Sequence, residues 1–242
     1  MLPIIRIKET SSTNDYLLRM ASEQPAWEGA VVCGHQTAGK GMGKNCWESE
    51  DGKNLLYSIM IHPAWMPVHS QYLLSMAQAI AISDTLAQYT EGITIKWPND
   101  IYWHDRKISG TRIDTNLNGS GICDMVIGTG VNVNQKEFMS DAPNPVSLIQ
   151  ITGVKHNVEE LLHSMVENFG KYCKVLEQGD YDTITRIYHE RLYRRDGIHR
   201  YRDADGEFEA YINKVHQSGV LQLRRADGTL SEYMFKEVEF VI

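Results

Sequence analysis

The stretch with the most chemical potential is Gln36-Thr37-Ala38-Gly39-Lys40-Gly41-Met42-Gly43-Lys44-Asn45-Cys46-Trp47, in which three glycines alternate with two lysines and a methionine. Glycine lets backbone amides turn into one concavity, and lysine adds positive charge; together they form a cradle for a phosphate or a carboxylate. Gly34 to Lys40 fits the first seven positions of G-x-x-x-x-G-K. The eighth, which should be Ser or Thr to hold magnesium, is Gly41, and no helix-forming run follows, so a P-loop is disfavoured. The G-x-G-x-G spacing is not the dinucleotide fingerprint either. An ordinary surface connection has the same composition.

Three further groups have chemical potential. In Lys96-Trp97-Pro98-Asn99-Asp100, proline pushes Trp97 into an extended conformation. Asn99 and Asp100 then fall at a bend, where they could meet a metal or a polar substrate or simply make Asx turns. In Lys107-Ile108-Ser109-Gly110, a strand-borne lysine beside a glycine suits charge build-up on a carboxylate or phosphate. In Gly128-Thr129-Gly130-Val131-Asn132-Val133-Asn134, glycines within a strand-like run mark close approach of a ligand, or a bulge.

These groups must be positioned by elements that hydrophobic period and turn chemistry predict. Strands are expected over Leu2–Lys8, Gly29–His35, Leu55–Ile61, Ile93–Trp97, Lys107–Thr115 and Ile122–Val133. Helices are expected from Tyr16 onward, with Ser or Thr as N-cap, and over Val68–Tyr89, Val158–Leu176 and Tyr181–Leu192. Thr37–Asn54 reads as a long loop, expected to be disordered without ligand. Beyond about residue 195, turn signals recur between short alternating strands, the pattern of a small antiparallel barrel. The expected division is 1–194 and 195–242.

A net charge of −7 argues against nucleic acid as the main partner. The four cysteines, Cys33, Cys46, Cys123 and Cys173, lack C-x-x-C or zinc spacing and are expected to be buried or semi-buried free thiols of a reducing compartment. No apolar run is long enough to span a bilayer and no leader pattern opens the chain, so a cytoplasmic protein is expected.

Taken in order, Ser12-Thr13-Asn14, the GKGMGKNCW loop, KWPND, K-x-x-G and G-x-G-x-N resemble the signature of biotin–protein ligases, and the resemblance covers essentially the whole chain. It implies an α+β fold: a class II aminoacyl-tRNA synthetase-like mixed sheet flanked by helices, with a small C-terminal SH3-like β-barrel. It implies ATP, biotin and Mg2+, formation of biotinyl-5'-AMP, and transfer of biotin to a lysine of a biotin carboxyl carrier protein domain of a biotin-dependent carboxylase. By motif, Ser12, Thr13, Asn14, Gln36, Lys40, Gly41, Met42 and Lys107 would bind biotin. Gly39, Lys40, Trp47, Asn99, Asp100 and Asn132 would bind ATP or the adenylate. Lys107 and Lys40 would be catalytic, and Asp100 would hold the metal. The family loop commonly reads G-R-G-R-R-G-R-x-W, whereas Lys40 and Met42 stand here for its first two arginines. Lysine keeps charge but loses the bidentate fork. Arg112, in Thr111-Arg112-Ile113-Asp114, could replace that charge if its strand borders the site. A DNA-binding domain carried by other members is expected to be absent, with no DNA or membrane partner and a monomer or homodimer. A lipoate- or octanoate-type ligase of the same superfamily and a non-catalytic biotin sensor are the alternatives.

Overall fold

The computed structural model describes residues 2–41, 43, 45–119, 121–140 and 142–242. Two sheets organise it. The first has seven strands: β1 (Ile4–Thr10), β2 (Gly29–Gln36), β3 (Leu55–Ile61), β4 (Ile93–Lys96), β5 (Asp100–Trp103), β6 (Arg106–Asn118) and β7 (Gly121–Val131), in the order β1-β2-β3-β7-β6-β5-β4. β1 and β2 pair in parallel across helix α1 (Thr13–Glu23); the other pairs are antiparallel.

The expected alternation of side chains along a strand decides what each face carries. In β3, Leu55, Tyr57, Ile59 and Ile61 belong to the main core, beneath α2 (Tyr72–Leu86), α4 (Val158–Glu177) and α5 (Tyr181–Glu190). Met60 belongs to a second cluster with Leu17 of α1, Val31 and Val126. All seven β3 residues are buried, which is why this strand reads as an unbroken apolar run rather than an alternating one. α2 is apolar on almost every side because it lies between the sheet and α4 and α5. α4 and α5 are amphipathic and carry side-chain N-caps, Asn157 and Asp180.

The second sheet contains β8 (His199–Asp203), β9 (Gly206–Val215), β10 (Leu221–Arg225), β11 (Leu230–Tyr233) and β12 (Glu239–Phe240), antiparallel and ordered β11-β10-β9-β8-β12. This is the expected mixed α+β architecture with a small all-β unit.

Several local expectations need correction. The helix expected over Val68–Tyr89 divides into a 3-10 turn, Val68–Ser70, which begins where the extended Pro67 ends, and the shorter α2. The Asn99–Asp100 bend is the tip of a hairpin, and β5 was not expected; its four residues are too few to show a period. A one-turn helix, α3 (Leu148–Thr152), was likewise unexpected. Ser12 occupies the N-cap of α1 but its hydroxyl makes no capping bond. The four cysteines are free as expected, but Cys46 is exposed.

Candidate active site

A cavity of roughly 540 Å3, within the usual range for small-molecule sites, opens on the α1 face of the large sheet. The expected residues Ser12, Thr13, Asn14, Gln36, Lys40, Gly41, Trp47, Asn99, Asp100, Lys107 and Asn132 all line it. Gly39 is buried just behind, where a β-carbon would stand 2.7 Å from the Trp47 carbonyl. Met42 lies outside the described residues.

One end of the cavity is a polar cluster. Thr13 donates from its backbone N–H and its hydroxyl to Gln36 Oε1, at 2.7 and 3.0 Å. Ser58 Oγ stands 2.6 Å from both Thr13 Oγ1 and Asn14 Oδ1. Asn14 Nδ2 donates to Asp114 Oδ2 at 2.7 Å. Ser58 and Asp114 were not expected as site residues. The signal for Ser58 was a hydroxyl within an otherwise apolar strand, since a buried polar group needs a partner. Burial opposes ionisation of Asp114, but hydrogen bonds from Arg112 and Asn14 win and hold its carboxyl below the ordinary value.

The middle of the cavity explains the glycine spacing. Gly110 and Gly130 face each other across β6 and β7, and Arg112 faces Gly128. The Trp47 ring lies over Gly110 and Gly130, and a β-carbon at Gly130 would collide with it. The Asn14 side chain fills the space above Gly128 in the same way. These glycines make room for protein side chains that form the cavity wall, rather than for a bulge.

At the other end, Lys107 Nζ donates to Asp100 Oδ2 at 2.7 Å. Asn99 Nδ2 donates to Ser75 Oγ at 3.0 Å and Asn132 Nδ2 to the Val146 carbonyl at 3.2 Å. The backbone of 144–146 brackets Lys107, whose N–H bonds the Asn144 carbonyl and whose carbonyl accepts from Val146. Phe138, Pro143 and Phe235 complete the wall from segments to which no role was assigned in advance. Among the described residues no group of three or more His, Cys, Asp or Glu side chains could hold a metal.

The described residues of 39–47 form a flap that folds back on itself, with an isolated bridge between Lys40 and Cys46 and bonds from Gly41 N–H to the Asn45 carbonyl and Trp47 N–H to the Gly39 carbonyl. Lys40 Nζ is paired with Asp15 of α1 at 2.7 Å and stands at the rim.

A cavity with a polar end built for neutral hydrogen-bonding groups, a flat aromatic wall and a lysine–aspartate end suits a polar-headed acid being activated. Comparison with known families decides the lineage. The profile of the biotin/lipoate A/B protein ligase family matches residues 6–132. The chain belongs to that family. Its relatives include the bifunctional ligase/repressor BirA of Bacillus subtilis, 25% identical over 230 residues, covering 92% of this chain and 70% of that protein. They also include the biotin–[acetyl-CoA-carboxylase] ligase of Paracoccus denitrificans, 26% identical over 231 residues, 92% of this chain and 94% of that one. Among solved structures, the biotin protein ligase of Aquifex aeolicus in complex with biotin and ATP superposes with a TM-score of 0.79 at 21% identity, covering 98% of this chain and 97% of that one. At that identity the likeness is one of fold, and it extends over both sheets of this member of the ligase family.

Proposed function

We infer that this chain is an ATP-dependent biotin–protein ligase. The observation that carries the reading is one cavity joining the Thr13–Asn14–Gln36–Ser58 cluster to the Lys107–Asp100 pair, in a chain of the ligase family. The cluster offers donors and acceptors to a cyclic urea. Trp47, lying over paired glycines, offers a flat wall to the ring and chain. Lys107 then meets the carboxylate.

In the first step a carboxylate oxygen bonds to the α-phosphorus of ATP and the bond to the β-phosphate oxygen breaks, releasing pyrophosphate. In the second, an acceptor lysine amine attacks the acyl carbon, the bond to the phosphate oxygen breaks, AMP leaves and the amine loses a proton. No enzyme nucleophile takes part, so catalysis is positioning and charge stabilisation. Lys107 neutralises charge at the reacting oxygens, and Asp100 aims its ammonium. Asn99 and Asn132 serve the nucleotide side, and Gly39, Lys40 and Gly41 form the flap.

The single carboxylate of Asp100 fits magnesium delivered on ATP, an ion that needs only one or two carboxylates beside phosphate oxygens and waters. Bound there, magnesium would neutralise the departing pyrophosphate. The proposed acceptor is the biotin carboxyl carrier domain of a carboxylase; exposed Met139 and Phe235 beside the mouth give a protein an apolar surface to meet. The acidic net charge supports a protein partner rather than DNA. Residues 1–194 would act as the catalytic unit and 195–242 as a support that reaches the mouth through Phe235. No helix among the described residues is long and apolar enough to cross a membrane.

Biotin-dependent exchange of pyrophosphate into ATP tests the reading. Exchange is expected only with biotin, and Lys107→Ala should lower it on the order of a hundred- to a thousandfold, the usual worth of one preorganised charge donor. Biotin binding without exchange would replace the ligase with a sensor; exchange driven by lipoate instead would move the substrate class.

A further inference from the structure

Among the described residues lining the cavity, three carry a positive charge, and they stand apart: Lys40 at the rim, Lys107 beside Asp100, and Arg112 of β6 at the polar end. Arg112 is tied to the polar cluster through shared partners. Asn14 Nδ2 stands 3.5 Å from the Arg112 carbonyl and donates to Asp114 Oδ2, the oxygen that also accepts from Arg112 Nε at 3.1 Å. Arg112 Nη2 donates to the other carboxylate oxygen at 2.8 Å. Guanidinium is a rigid planar fork of five N–H groups, and Asp114 takes one edge of it. The opposite edge keeps donors to spare: among the described residues Nη1 meets the Gly41 carbonyl alone, at 3.4 Å, near the limit of a hydrogen bond. The side chain is 31% exposed, so that edge opens on the cavity it lines.

We propose that Arg112 is a specificity-determining residue for the head of the acid: its guanidinium, held beside Asn14 by Asp114, selects an electroneutral head with an acceptor oxygen, as a cyclic urea has, and rejects a head of the same shape that carries positive charge. This selectivity rests on the biotin-ligase reading above. A urea oxygen gives the spare N–H groups a charge-assisted hydrogen bond. An apolar head would cover the same N–H groups without an acceptor and bear their desolvation cost. A cationic head would meet a like charge in a half-buried site, where repulsion is far stronger than in water. Arg112 stands in front of Asp114 as seen from the cavity, and the two charges act in opposite senses on a cation, so neutralising each one moves the selectivity in opposite directions. Lys40 and Asp15, the nearest other charged pair, neutralise each other at the rim.

The probes are biotin and iminobiotin, in which an imino nitrogen replaces the urea oxygen. That ring is a guanidine and, like the arginine side chain, is cationic at neutral pH. The affinity of the full chain for each is measured by equilibrium dialysis at neutral pH, beside biotin-dependent pyrophosphate exchange. Arg112→Gln should narrow the preference for biotin over iminobiotin at least about tenfold, the scale of like-charge repulsion at an effective dielectric constant of about 20. Arg112→Lys, which keeps the charge, should retain the preference. Asp114→Asn leaves the guanidinium unbalanced and should widen it; this variant keeps Arg112 in place, so the test stands even where Arg112→Gln fails to fold. A loss of packing alone would weaken both ligands together and leave their ratio unmoved. Wild-type ratios in Arg112→Gln and Asp114→Asn chains that still bind biotin would overturn the role of Arg112 while leaving the ligase reading intact. A wild type that neither binds biotin nor exchanges pyrophosphate would overturn that reading, and the selectivity with it.

Discussion

Asn14 and Trp47 occupy space that exists only because Gly128, Gly130 and Gly110 carry no side chain, so the glycines and the polar and aromatic residues opposite them form one unit of the site. Gly128→Ala should push Asn14 away from Ser58 and Asp114 and raise KM for biotin at least about tenfold, with the fold retained. Steady-state exchange kinetics against biotin concentration check this. An unchanged KM would mean Asn14 does not meet the substrate. The magnitude corresponds to the loss of one to two hydrogen bonds at roughly 1 kcal/mol each. Motif order identified these glycines, but nothing local could say that their partners were Asn14, 114 residues earlier in the chain than Gly128, and Trp47. Asp114 and Ser58 went unassigned for the same reason: their importance comes from what packs against them.

At the scale of elements, the β4–β5 hairpin tip carries Asn99 and Asp100, and it is braced from three directions. Tyr72 of α2 and Tyr188 of α5 each donate to the Pro98 carbonyl at 2.7 Å. Trp97 Nε1 donates to the Gly219 carbonyl at 2.9 Å. Tyr188→Phe leaves the carbonyl with one donor and should cost about 1 kcal/mol in urea unfolding. Tyr72→Phe with Tyr188→Phe removes both and should cost more than the sum of the single changes, since a buried acceptor left without a partner bears its full desolvation penalty. Additive costs would show that the two hydroxyls do not share the task. β3, β7 and α4 were legible in the sequence because burial on both faces or on one helical stripe writes a long, uniform pattern. β5 and α3 were not, because four- and five-residue elements are held by their neighbours rather than by their own periodicity.

The whole molecule is joined where the small sheet meets α5 and the hairpin. His189 of α5 accepts the Val215 N–H of β9 at 2.7 Å through Nε2, which requires an unprotonated nitrogen there. Burial lowers its pKa from the ordinary 6.5. A depressed imidazole binds its proton more weakly folded than unfolded, so stability is fully present above the unfolded value and declines as pH falls below it. His156, also lowered by burial, acts in the same direction. The urea midpoint should therefore drop between roughly pH 8 and pH 5, and His189→Gln should flatten part of that drop. An equal slope in the variant would mean that protonation elsewhere governs acid sensitivity. Phe235, which contacts the Trp97 ring and lines the cavity, carries the small sheet's influence to the mouth of the site. The recurring turns announced that sheet, but its contribution of a cavity residue could not be anticipated, because the contact spans 138 residues between Trp97 and Phe235.

The sequence by itself determined the lineage, the long elements and the motifs that supply part of the cavity wall, because motif order and hydrophobic period are properties of the chain in one dimension. Only the tertiary structure decided where those residues stand and what they meet. It placed Lys40 at the rim, paired with Asp15, and Lys107 at the opposite end of the cavity, paired with Asp100. It folded the described residues of 39–47 back on themselves and set Arg112 between Asp114 and Gly41. The physical reason is that a charged group's role follows from the partner it meets and the water it loses, and both are fixed by packing between segments far apart in the chain.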